Sequence, residues 1–108
     1  MIEIRHYVNR AGKDVFDDWL HWRMPAHRRR LRPESNRLAA GNFGDCKSLR
    51  QGLYELRVDW GPGYRVYYTT IGRECILLLC GGDKRKQSAD IERALEFLKD
   101  HRERSGTS

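Results

Sequence analysis

Glu55, Arg57, Arg65 and Tyr67 have the means to handle an anion, and their spacing would put them on one face of a sheet. They fall within residues 52–86, GLYELRVDWGPGYRVYYTTIGRECILLLCGGDKRK. Side chains alternate across a strand with period two. Tyr54, Leu56, Val58 and Trp60 therefore share one face, while Glu55, Arg57 and Asp59 share the other. In the next run Tyr64, Val66 and Tyr68 are set against Arg65 and Tyr67. The three-residue loop Gly61-Pro62-Gly63 predicts a hairpin pairing Trp60 with Tyr64, Val58 with Val66 and Arg57 with Tyr67. A slip of one residue would mix the two faces. Guanidinium groups remain charged and fork onto two oxygens of a phosphate, so the chemistry implied is the grip of an anionic centre. A blander alternative pairs Arg65 with Asp59, its direct neighbour in that register, as an exposed ion pair worth about 0–1 kcal/mol.

The rest of the composition is compatible with that chemistry. A chain of 108 residues makes one domain with a single modest core. Hydrophobic residues at 39% and charged residues at 33% suit a solvated globule and exclude a disordered chain. Net charge is +6, which favours a polyanion or an acidic protein as partner. Cys46, Cys75 and Cys80 are odd in number and lack CxxC spacing, which points to a reduced, cytoplasmic protein without disulfides. His6, His21, His27 and His101 show no paired spacing, so neither a metal nor a cofactor is expected. The start, MIEIRHYV, alternates like a strand rather than a signal peptide, and no apolar run reaches membrane-spanning length.

A short first strand follows from Ile2, Ile4 and His6 alternating with Glu3, Arg5 and Tyr7. Residues 14–22 place Val15, Phe16, Trp19 and Leu20 at helical spacing. A second helix is predicted over 25–40, opened by Pro25 and closed by Gly41, with a kink or restart near Arg32 because Pro33 lies inside it. Lys47 to Leu49 reads as extended. Ile76-Leu77-Leu78-Leu79 lacks alternation and reads as a strand covered on both faces. Ser88 is expected to cap a last helix striped by Ile91, Ala94, Leu95 and Leu98. The order β-α-α-β-β-β-α argues an α+β fold, an antiparallel meander with helices packed on one side. One domain over 1–104 and a frayed tail over 105–108 complete the reading.

Several stretches together resemble one family. They are Leu38-Ala39-Ala40-Gly41-Asn42-Phe43-Gly44-Asp45-Cys46-Lys47, Gly52-Leu53-Tyr54-Glu55-Leu56-Arg57, Gly61-Pro62-Gly63-Tyr64-Arg65-Val66-Tyr67, and Gly81-Gly82-Asp83-Lys84 with Gln87 and Asp90-Ile91. The chain is similar over nearly its whole length to addiction-module killer proteins of the RelE/ParE toxin superfamily, near the HigB-type toxins. That resemblance implies a small RelE-like fold and the toxin role in a type II toxin–antitoxin pair. It implies a cognate antitoxin, a small helix-turn-helix protein, and contact with operator DNA in complex with that antitoxin. It further implies metal-independent cleavage of messenger RNA on the ribosome. The ParE branch instead poisons DNA gyrase on the same scaffold, so both activities stay open.

By the same resemblance Arg57, Arg65 and Lys84 or Arg85 match basic positions around a scissile phosphate. Glu55 stands where the best-known relative has lysine, and Ile91 where it has tyrosine. Cations aimed at a developing phosphorane are each worth roughly 10²–10³ in rate, by analogy with oxyanion holes. Lys84 is expected as phosphate ligand or general base, and Glu55 as an alternative base or a neutralising neighbour of Arg57. Tyr67 is expected to stack on an unpaired base. Lys47, Lys86 and the run Arg28-Arg29-Arg30 are expected to bind RNA by neutralising phosphates, or in the run's case to form a solvated helix face.

Overall fold

A computed structural model describes residues 2–106, and the side chains of 33–37 and 39 lie outside what it describes. Among these residues the elements run β1 (Glu3–His6), α1 (Val15–His21), α2 (Pro25–Ala39), β2 (Cys46–Ser48), β3 (Tyr54–Arg57), β4 (Tyr64–Ile71), β5 (Cys75–Asp83), a 3-10 turn (Lys84–Lys86) and α3 (Gln87–Arg104). The fold is a small α+β domain, with one strand more than the sequence order predicts because Cys46–Ser48 pairs as a strand of its own. That segment matches the extended reading of 47–49 to within a residue.

The sheet order is β1-β5-β4-β3-β2. Strands β2 to β5 form the expected antiparallel meander, but β1 lies parallel to β5, so the sheet is mixed. The helices also depart from the predicted single layer. Phe16 and Leu20 of α1 and Leu31 and Leu38 of α2 cover one face, over Leu56, Val66, Tyr68, Ile76 and Leu78. Ala94, Leu95 and Leu98 of α3 cover the other, over Tyr67, Leu77, Leu79 and Cys80. The physical reason is visible in β5, whose residues from Ile76 to Leu79 are all buried and need cover on both sides. A bulge in the β4–β5 pairing assists, since Tyr67 pairs with Cys80 and Tyr68 with Leu78. Leu79 is the extra residue, and it joins Cys80 in the core under α3.

The helix ends follow local chemistry. The Asp14 carboxylate caps α1 by accepting from the Asp17 N–H at 3.0 Å. Helix α2 runs from Pro25 to Ala39 with no restart at Arg32, and Gly41 after it takes φ +81°. The last helix is not capped by Ser88. Asp83 accepts instead from the Arg85 N–H at 2.9 Å, winding Lys84–Lys86 into the 3-10 turn that leads into α3. Residues 107 and 108 of the expected tail lie outside the described residues.

A candidate phosphate-binding edge

The hairpin that carries the candidate residues pairs two positions away from the predicted register. Tyr54 faces Tyr68, Glu55 faces Tyr67, Leu56 faces Val66 and Arg57 faces Arg65. The Val58 N–H donates to the Tyr64 carbonyl at 3.0 Å, so the loop spans 59–63 rather than Gly61-Pro62-Gly63. Packing outside the hairpin holds this wider loop. Trp60 lies edge-on to His27 and Tyr64, with the Arg30 guanidinium 4.4 Å from its ring centroid. Gly61 and Gly63 turn the chain at φ +64° and +78°. A shift of two keeps every side chain on its predicted face, and it sets Arg57 directly opposite Arg65.

Between those arginines lies Glu55, which is fully buried. Its Oε1 accepts from Arg57 Nε at 3.1 Å and lies 3.8 Å from Arg65 Nε. Its Oε2 accepts from the Gln87 side-chain amide at 2.8 Å. A buried carboxylate engaged at both oxygens is a tether for guanidinium groups, which agrees with the neutralising neighbour of Arg57 rather than with a base. Gln87, whose part the sequence did not disclose, completes the tether from the first turn of α3.

The two arginines differ in what they leave free. Arg65 is 12% exposed and its Nη1 donates to the Gly63 and Tyr64 carbonyls. The predicted partner Asp59 is replaced by Glu55 and these turn carbonyls. Arg57 keeps 49% of its side chain in solvent. It lines a hollow of about 260 Å³ with Gly44, Asp45, Cys46 and Lys47. Lys47 reaches this face because it is the cross-strand partner of Glu55. Open cationic surface is therefore built from Arg57 and Lys47, with Arg65 as the buried cation behind them.

Lys84 and Arg65 flank Gly63, where an added Cβ would meet Lys84 Cβ at 3.3 Å and Arg65 Nη1 at 3.6 Å. Lys84, Arg85 and Lys86 are all exposed on the 3-10 turn. Arg85 turns to Asp83 at 3.2 Å, and it holds that carboxyl below its ordinary range. Arg28, Arg29 and Arg30 belong to α2, on the opposite face of the sheet. Arg28 donates to the His21 carbonyl, Arg30 stacks on Trp60, and none is brought to Arg57.

Tyr67 corrects the expectation of a base-stacking residue. It is fully buried under α3, and burial first, then the nearby Glu55 carboxylate, raises its phenol. Among the described residues its hydroxyl makes no hydrogen bond of good geometry, although the Glu55 carboxylate lies nearby. Asp90, in the first turn of α3, is also buried, and burial raises its carboxyl. It packs so closely on β5 that a Cβ at Gly82 would stand 1.9 Å from its Oδ2. The signal was the Gly81-Gly82 pair, since glycine inside a strand marks close approach of another group. Ile91 packs against the core under α3, so it brings no reactive group to this edge.

No helix among the described residues is long and apolar enough to cross a membrane. The family model for "Phage derived protein Gp49-like (DUF891)" matches residues 19–99. An uncharacterized protein of Haemophilus influenzae is 44% identical over 81 residues, which cover 74% of this chain and 82% of that relative. With the family's pattern running from α1 through most of α3, the chain belongs to the phage-derived Gp49-like proteins, a toxin-like family of the RelE kind.

Proposed function

We propose that this protein is the HigB-type toxin of a type II toxin–antitoxin pair and that it cuts messenger RNA on the ribosome. The observation that carries the reading is the half-exposed Arg57 guanidinium, fixed by buried Glu55 and opening with Lys47 onto one hollow. A rigid cation beside a second cation suits a phosphate, whose non-bridging oxygens gain charge as the 2′-oxygen attacks. The 2′-hydroxyl forms the new P–O bond, the 5′-oxygen leaves, and a proton moves from the first to the second. Lys84, exposed and flanking Gly63 together with Arg65, is the group assigned to carry that proton. The ribosome supplies the orientation of the strand. The toxin's partners are then the ribosome, the message and an antitoxin.

A second reading rests on a separate observation. Glu55 and Tyr67 are sealed, which thins the supply of acids and bases and suits a ParE-like gyrase poison that acts by binding. One experiment separates the readings. Induced expression followed by mapping of RNA 5′ ends should show new ends within translated messages. Arg57→Ala should lower that cleavage about 100-fold and relieve growth arrest. Undiminished toxicity would remove the phosphate grip, while intact messages with gyrase–DNA cleavage complexes would select the second reading.

A further inference from the structure

Between α2 and β2 the chain rounds the short edge of the sheet and leaves the Phe43 side chain 42% exposed. Its ring, with Cys46, Tyr54, Tyr68 and Thr70, lines a cavity of about 300 Å³. One side of that cavity is aromatic. Tyr54 and Tyr68 are cross-strand partners whose rings stack with centroids 5.4 Å apart and planes 18° apart. This volume is at the small end of ligand pockets, roughly 300 Å³, and fits a single flat ring system better than a larger ligand.

The cavity adjoins the phosphate-binding edge. Cys46 lines both it and the hollow that holds Lys47 and Arg57, so the two openings meet at the three-residue strand β2. Two cations face one carboxylate, Asp45, on the polar side of this junction, and aromatic rings stand on the other. Single-stranded nucleic acid presents the same alternation, an anionic phosphate followed by a flat base, and its binders combine cationic tracks with aromatic stacking surfaces. Tyr67, being buried, is not available for that stacking.

We propose that the Phe43–Tyr54 cavity takes one unpaired nucleobase of a single strand whose neighbouring phosphate lies between Lys47 and Arg57. The inference rests on the RNA reading given above, and it adds the subsite that would set base preference next to the phosphate. The strand rounds the edge at β2, with its backbone on the Lys47 side and its base on the Phe43 side.

The test uses the full chain and a short 2′-O-methyl RNA carrying 2-aminopurine, which cannot react through a 2′-hydroxyl and which loses emission on stacking. Binding should quench the probe. Phe43→Ala should weaken binding roughly 5- to 150-fold and abolish the quench, whereas Phe43→Trp should preserve both. Thr70→Trp, which fills the cavity from an exposed position, should weaken binding without touching Phe43. The salt dependence of binding should be unchanged in Phe43→Ala and shallower by about one phosphate contact in Lys47→Ala. Unchanged affinity and quench in both cavity variants, with Lys47→Ala still weakened, would overturn the base subsite and leave the RNA reading standing. If the wild-type chain binds no single strand even at low salt, the base subsite falls, while the RNA reading is decided by the mapped 5′ ends. Self-association that Phe43→Ala abolishes, with RNA binding untouched, would assign the cavity to a second copy of the chain and overturn the proposal.

Discussion

Gly81 and Gly82 are neighbours in β5, yet each makes room for a different kind of group on a different face of the sheet. A Cβ at Gly81 would stand 2.4 Å from the Trp19 indole, on the face covered by α1 and α2. A Cβ at Gly82 would stand 1.9 Å from the Asp90 carboxylate, on the face covered by α3. The first face is apolar and aromatic throughout its centre, where Trp19 packs against Phe16 and Tyr64. The second buries Glu55, Asp90 and the Tyr67 hydroxyl among its leucines. Burying such groups opposes folding unless they are paired, so a face that keeps them is shaped by more than stability. The sheet is a structural wall on one side and the support of a charged edge on the other.

The largest test of that contrast removes the tether. Glu55→Ala would leave Arg65, nine-tenths enclosed, facing no carboxylate, and breaking one side of a buried pair costs about 3–5 kcal/mol. Glu55→Gln keeps a carbonyl for Arg57 and should recover part of that loss in a denaturant titration. On the tether reading Glu55→Gln also lowers RNA cleavage, because both guanidinium groups lose their fixed anchor. A Glu55→Ala chain as stable as wild type would show that the second face needs no such pairing.

The glycine pair gives the next effect. Gly81→Ala must displace a ring held by Phe16, Tyr64 and the Arg23 guanidinium, and should destabilise by about 3 kcal/mol. Gly82→Ala meets the short Asp90 side chain, at Oδ2 and at Cγ 2.7 Å away, which can turn aside more readily than an indole, and should cost nearer ~1 kcal/mol. Asp90→Ala, which removes the clashing Cγ and carboxylate, should relieve most of that second cost, while no shortening at 90 should relieve the first. Equal losses at both glycines, measured by equilibrium unfolding, would remove the distinction between the faces.

These particulars also show what the chain discloses before it folds. Alternation through residues 54–58 and 64–68 placed each side chain on its face, because period two follows from backbone geometry. It could not place the register, since a shift of two leaves the pattern unchanged, and the cause of the shift lies in Trp60 packing against α2. The continuous run Ile76 to Leu79 already required cover on both faces, at odds with a single helical layer. Tyr67 shared a face with arginines and was read as open, yet a helix more than twenty residues later in the chain closes over it. Alternation put Arg57 on the face where its side chain is half exposed. Phe43 lies in the connection between α2 and β2, and a residue there has no periodicity to betray its neighbours.

The smallest effect is a matter of sign. Asp90 and Asp100 both belong to α3 and differ in the direction of their carboxyl shifts. Burial raises Asp90, so the folded state holds that proton more tightly than the unfolded chain does. Its favourable contribution is present below the ordinary value of 3.8 and is lost as pH rises through the raised one. Asp90→Asn should therefore gain a little stability at neutral pH, partly offset by the lost Arg93 contact at 3.4 Å, and gain nothing in acid. Asp100 is lowered, first by the Tyr7 hydroxyl that donates to it at 2.6 Å and then by Arg10. Its contribution is present above the ordinary value and is lost as pH falls through the lowered one. Asp100→Asn should thus lose stability at neutral pH and converge with wild type in acid. Thermal melts of both variants from about pH 2 to 7 should give differences of opposite sign, the Asp90→Asn difference closing first as pH falls and the Asp100→Asn difference closing below it. Parallel curves of one sign would mean that the carboxylate beneath α3 is as well solvated as the one at its rim, and that Gly82 opens no buried polar site.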